Sequence, residues 1–305
     1  MIIKGALKFA CCCSIAAALF ASENASAQPQ YYPMKGTPLV NKYENVVISR
    51  PPASLNFDAF YKKYIDACGI PVVSSEKVSD AALLMARDII NYMLAKRPDV
   101  RTQMMKDKAM LSIMAYTEMQ TDLPEYRDWK KPAKDDIRLI PSERENYDKP
   151  GGIASMTDKE YWNKRARGMG GIQTSCAEEN LLGFPGTKYF GENIMIHEWS
   201  HNIMEALRTC DPELISRVEK AYENAKKKDM YKNQYAINTI DEYWAEGTQW
   251  WFWSNFEFND GKTRLQGPDD LKAYDPVLYE ILSEVYIGHH IPADIYYGKN
   301  IKKNF

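Results

Sequence analysis

The sequence predicts an α+β fold, predominantly helical with a small sheet. Three observations carry that expectation. Apolar residues recur at helical spacing from Ser79 onward, three further helical patterns crowd into the C-terminal half, and the run 109–116 is short and apolar enough for a buried strand. At 305 residues, with a formal net charge of −2, the chain can bury a full core without a membrane or a dense disulfide framework. The near-neutral balance removes the electrostatic footprint that nucleic-acid binding requires, and Lys226-Lys227-Lys228, matched by nearby acids, reads as a solvated helix end.

Residues 1–27 read as an export signal: Lys4 and Lys8 precede or open an apolar stretch, and Ala25-Ser26-Ala27 has the small-x-small form of a cleavage site. That stretch is too short to span a bilayer and no later segment is apolar enough, so a secreted or periplasmic protein cleaved near Ala27 is expected. Cys11, Cys12 and Cys13 lie inside the signal, where the preceding Lys8-Phe9-Ala10 makes a poor lipoprotein signal. Cys68, Cys176 and Cys210 remain, enough for one disulfide and one spare thiol. All pairings are open, with Cys176–Cys210 favoured because both flank the helix around residue 200.

Residues 28–75 read as an extended arm or lead-in, its first half rich in Pro, Tyr and Asn, and 76–305 as the main domain. Ala81, Leu84, Ile89, Ile90 and Met93 make a helix that Arg97-Pro98 stops. Residues 121–152, polar and dotted with Pro, are expected to run over the surface. The glycines in Arg167-Gly168-Met169-Gly170-Gly171 lack the order of a nucleotide-binding loop and mark a turn or a close approach of backbone. Helices follow over about 192–208, from the N-cap and proline of Asp211-Pro212-Glu213, and from Asn238 or Thr239 to about Phe256. The aromatic run Trp250-Trp251-Phe252-Trp253 points in several directions on a helix and reads as core packing.

His197-Glu198-Trp199-Ser200-His201 carries the strongest chemical signal. Residues four apart lie one turn above each other, so two imidazoles can reach one ion, with Glu198 beside it as the base for a water. Ile196, Trp199, Ile203 and Leu207 form an apolar stripe on another face, which leaves the histidine face to open on a cleft. The other two histidines of the chain, His289 and His290, precede Pro292 and read as a turn or surface pair. Catalytic zinc needs a third protein ligand. Met204 and Leu207 stand where an HExxHxxGxxH pattern needs Gly and His, and a thermolysin-like pattern with Glu219 or Glu223 as ligand and an acid four residues on is only half present, since the fourth residue after Glu223 is Lys227.

With Tyr235-Ala236-Ile237-Asn238-Thr239-Ile240-Asp241-Glu242-Tyr243-Trp244-Ala245-Glu246, the chain resembles the gluzincin domain of anthrax lethal factor and the Pro-Pro endopeptidases. In those proteins the ligating Glu opens a Glu-aromatic-aromatic-Ala-Glu-like segment well downstream of HExxH, and a Tyr upstream of it faces the metal. Glu242 matches the ligand, and Tyr235 stands at the matching separation. The resemblance covers about 194–252, under a fifth of the chain; the segment 271–285 looks like a part of widespread exported proteins that carry the same motifs. It implies a zincin-like metallopeptidase domain, Zn2+ as cofactor, a peptide or protein substrate, and Tyr235 as a donor to the oxyanion.

Each added residue has a plainer reading. Glu242 is also placed as the Glu of a capping box with Thr239. Glu246, one turn on, is either an acceptor orienting a histidine N–H or an exposed helix acid. The segment 176–182 is the expected place for an extended strand beside the substrate. A zinc amidase acting on cell-wall or glycan-linked amides is a second reading. A third is an exported binding or adhesion module whose structural zinc is closed by a fourth ligand, for which Cys210 or Glu246 would serve.

Overall fold

The computed structural model describes residues 47–298 apart from 137, 138, 140 and 260, so the signal assigned to 1–27 and the start of the arm lie outside the described residues. The architecture is mixed α/β. Four strands, β1 (Lys63–Asp66), β2 (Pro71–Ser74), β3 (Met110–Met114) and β4 (Gln173–Ala177), form a sheet in sequential order. β1 is antiparallel to β2, while β2, β3 and β4 run parallel. Crossovers between the parallel strands carry α1 (Asp80–Met93) with α2 (Pro98–Lys106), then α3 (Pro141–Glu145) with α4 (Asp158–Arg165).

β1 and β2 fall within the stretch read from sequence as an arm, and here they belong to the main sheet. Ile65, Ala67, Ile70 and Val72 are buried in the same core as α1. The turn between the strands takes a positive φ at Cys68 (53°) and Gly69 (91°), and the Asp66 carboxylate accepts from Gly69 N at 3.0 Å. Four-residue strands are too short to display a period of two, which is why composition alone left them in the arm.

β3 is buried along its whole length, as a strand covered on both faces must be. Leu111 and Ile113 face the core shared with α1 and the C-terminal helices, whereas Met110 and Met114 face a second cluster. That cluster includes Leu123, Tyr126 and Leu139 together with Tyr161 and Trp162 of α4. The segment 121–152 therefore does more than cross the surface: it supplies a layer over one face of the sheet.

The Ser79 hydroxyl caps α1 by accepting from Ala81 N at 3.3 Å, and the helix ends at Met93, short of Arg97-Pro98, where α2 opens on its proline. Asp88 lies on the buried face of α1, and burial pushes its carboxyl up to about 6 even though Arg87 donates to it at 2.9 Å. A carboxyl raised in the folded state contributes full stability below the ordinary carboxylate range and loses it as pH rises through about 6. Asp88→Asn is thus expected to leave the denaturation midpoint nearly unchanged near pH 3 and to raise stability by about 1–3 kcal/mol at pH 8, read from denaturant unfolding at both pH values.

The C-terminal half packs α5 (Glu178–Leu182), α6 (Ile194–Cys210), α7 (Pro212–Lys227), α8 (Ile240–Trp251), α9 (Pro268–Tyr274) and α10 (Pro276–Val285), with a hairpin of β5 (Phe258–Asn259) and β6 (Arg264–Leu265). Asp211 caps α7 by accepting from Leu214 N at 3.1 Å. α8 stops at Trp251, before the expected Phe256, because the chain turns back through a positive φ of 57° at Trp253. Trp250, Trp251 and Phe252 are buried, in line with core packing. No disulfide joins Cys176 to Cys210: all three described cysteines are free, Cys176 sealed in β4, Cys210 half-buried at the last residue of α6 and Cys68 exposed. Among the described residues no helix is long and apolar enough to cross a membrane.

Candidate metal centre

α6 is an unbroken helix because Asn193 caps its N-terminus, accepting from Ile196 N at 3.2 Å, and neither Gly nor Pro interrupts it. Ile196, Trp199, Ile203 and Leu207 are fully buried. His197 and His201 stand one turn apart, edge to face, with ring centroids 4.9 Å from each other. α8 packs along α6 and brings in the third group. The Thr239 hydroxyl accepts from Glu242 N at 3.2 Å, so Thr239 is the N-cap. The Glu242 side chain, however, does not close a capping box. Its Oε2 lies 3.0 Å from His197 Nε2 and 3.8 Å from His201 Nε2, and its Oε1 accepts from Tyr235 OH at 3.2 Å.

One ligand atom from each of His197, His201 and Glu242 falls within 4.8 Å of the others, an arrangement that can hold a metal ion. Among the described residues neither ring nitrogen of His201 has a hydrogen-bond partner, although the residue is only 5% exposed. An imidazole left so costs about 1–3 kcal/mol, which coordination would recover. The three groups also shift one another's titration. Burial alone would depress His197, but the hydrogen bond and charge of Glu242, with Glu198 and Glu246 behind it, hold it well above the usual histidine range. Burial, the charge of His197 and that of Arg208 push His201 well below. Burial raises Glu242, with His197 opposing. Burial and the Glu242–His197 contact thus couple the titration of the three groups.

Glu198 is fully buried on the same helix. Residues 168–171 pass directly over this face. A Cβ on Gly168 would come 3.1 Å from Glu198 Cγ, and one on Gly170 would come 2.7 Å from His201 Cδ2, so the glycines permit a close approach of backbone, as expected from sequence. Met169 and Ser175 exchange backbone hydrogen bonds of 3.1 and 2.9 Å, laying this segment antiparallel to β4. Asn202, next to His201, fastens the turn by donating to Ile172 O at 3.1 Å and Thr174 Oγ1 at 3.0 Å.

Several expectations need correction. The histidine face does not open on a cleft: His197, Glu198, His201 and Glu242 are all buried, because β4, α8 and the glycine segment pack around α6. Tyr235, in a short 3-10 turn, and Glu246 are only half-buried. The segment 176–182 is not an extended strand, since β4 ends at Ala177 and α5 begins at Glu178. Glu246 is not the main acceptor for a histidine N–H: its Oε1 is 3.6 Å from His197 Nδ1 and its Oε2 accepts from Asn255. Gln249 Oε1 is closer, at 2.9 Å. Gln249 was missed, yet it lies about two helical turns beyond Glu242 and so on the same face, which was readable. His289 and His290 stand apart from the group, against Trp251 and Tyr297 respectively, and Cys210 does not join it either.

No protein-family model matches the chain, and no curated protein matches it.

Proposed function

We propose that this protein is an exported, zincin-like zinc hydrolase that cleaves peptide bonds, with His197, His201 and Glu242 as ligands and Glu198 as general base. The observation that carries the reading is the convergence of these three donors, one of them a buried imidazole whose nitrogens make no hydrogen bond among the described residues, beside a buried glutamate on the same helix. Two imidazole nitrogens and one carboxylate oxygen make a donor set suited to catalytic zinc, which takes three protein ligands and keeps one position open. Neither Cys210 nor Glu246 belongs to the group, so the support for a closed structural site is absent among the described residues.

A zinc ion held by His197, His201 and Glu242 would supply Lewis-acid polarisation of a carbonyl and would make a water acidic enough to ionise near neutral pH. Glu198, beside the ligands on the same helix, would act as the proton carrier there, accepting a proton from the attacking water and returning it to the leaving nitrogen as the C–N bond breaks. The Tyr235 hydroxyl, which donates to Glu242 in the resting arrangement, can turn to donate to the developing oxyanion. The half-buried Tyr235 marks the side from which substrate arrives.

Tyr235→Phe is expected to lower turnover by about tenfold to a hundredfold, with the thermal midpoint and zinc content unchanged. An unaltered turnover removes Tyr235 from the chemistry. The reading as a whole is tested by incubating the zinc-loaded protein with unstructured proteins and, separately, with purified cell-wall material, each with and without a chelator. Chelator-sensitive cleavage of the proteins supports it, release of wall amides alone favours the amidase, and no cleavage of either by the loaded protein rejects it.

A further inference from the structure

We propose that Gln249 is a positioning residue that fixes the His197 ring in the one tautomer able to bind a metal ion, and that the N-cap of α6 holds Gln249 in place. The inference rests on the metal reading above and extends it to a residue that touches neither ion nor substrate. Gln249 is fully buried. Its Nε2 faces two backbone carbonyl oxygens, Asn193 O at 3.1 Å and Ser254 O at 3.4 Å. A carbonyl oxygen can only accept, so the amide nitrogen belongs on that side and the amide oxygen must face His197 Nδ1. His197 Nδ1 then carries a hydrogen, and in the neutral ring the lone pair is left on Nε2, the atom facing Glu242 and His201. The opposite amide orientation would set oxygen against two oxygens and drive the hydrogen to Nε2, where it would block coordination.

The two carbonyls are themselves held. Asn193 N donates to Ser254 O at 2.9 Å, Ser254 N donates to Gln249 O at 2.9 Å, and Asn193 O also accepts from His197 N at 3.3 Å. The Asn193 side chain donates to Asp294 Oδ1 at 2.8 Å, which ties the cap to the C-terminal segment. This closed set explains the turn at Trp253: a bulky residue at positive φ costs free energy, and it is what returns Ser254 to the N-cap of α6.

The test compares zinc affinities of the full chain by competition with a chromophoric chelator. Gln249→Leu should bind zinc about tenfold to a hundredfold more weakly, the usual effect of losing a group that orients a metal-binding histidine. Glu246→Gln, which alters the other nearby acceptor, should change the affinity by less than about threefold, well below that range. Long-range 1H–15N spectra of the wild-type protein, which has four histidines, should show the zinc-loaded His197 protonated at Nδ1. This last readout stands even if Gln249→Leu does not fold. Equal zinc affinity in wild type and a folded Gln249→Leu, a large loss only in Glu246→Gln, or coordination through Nδ1 would each overturn the inference alone. A wild-type protein that binds no zinc would overturn the metal centre and this inference with it.

Discussion

Glu198→Gln is expected to retain zinc at one ion per chain while losing turnover by about a hundredfold to ten-thousandfold, the range for removal of a general base. Gln has nearly the same volume, so the packing of residue 198 against Gly168 survives and the loss can be assigned to chemistry. The two ligands on the same helix are untouched. Zinc content by elemental analysis, together with turnover on a cleaved protein, measures both halves of the expectation. Turnover within a few-fold of wild type would remove Glu198 from the mechanism.

Glu242→Gln separates the two readings of that residue. If Glu242 served only as an acid in the first turn of α8, neutralising it would cost about 0.3–1 kcal/mol of stability and leave zinc binding alone. As one of three ligands it carries roughly a third of the 10–16 kcal/mol typical of a protein zinc site, so the variant is expected to bind zinc at least about a hundredfold more weakly. The metal-free variant should also show a lower His197 pKa than the metal-free wild type, because Glu242 is the largest of the groups that hold it up. Isothermal titration with zinc measures the first effect and histidine NMR the second.

The parts of this account legible in sequence are those whose signals are local. Ser79, Asp211 and Thr239 each mark a helix start by their own chemistry, and each caps the helix expected after it. HExxH declares its geometry because one turn of helix suffices to bring its two histidines together. The run 109–116 contains β3 because a strand covered on both faces is apolar throughout. What sequence did not disclose depends on partners distant along the chain. β1 and β2 are strands by virtue of β3 and the core beneath them, since four residues opened by Pro71 carry little pattern of their own. Gln249 acquires meaning only when α8 is set against α6, and Cys176 is withheld from a disulfide by the core around it. The sealing of the histidine face likewise follows from residues 168–171 folding back over α6, which the glycines hinted at without saying what they would cover.

The central claim is that two imidazoles and one carboxylate hold a zinc ion with one position left for a water. X-ray absorption at the zinc edge, on protein loaded with one equivalent, tests it most directly. Two imidazole nitrogens, a carboxylate and one exchangeable solvent ligand are predicted; a site closed by four protein groups, or a chain that takes up no stoichiometric zinc, would contradict it.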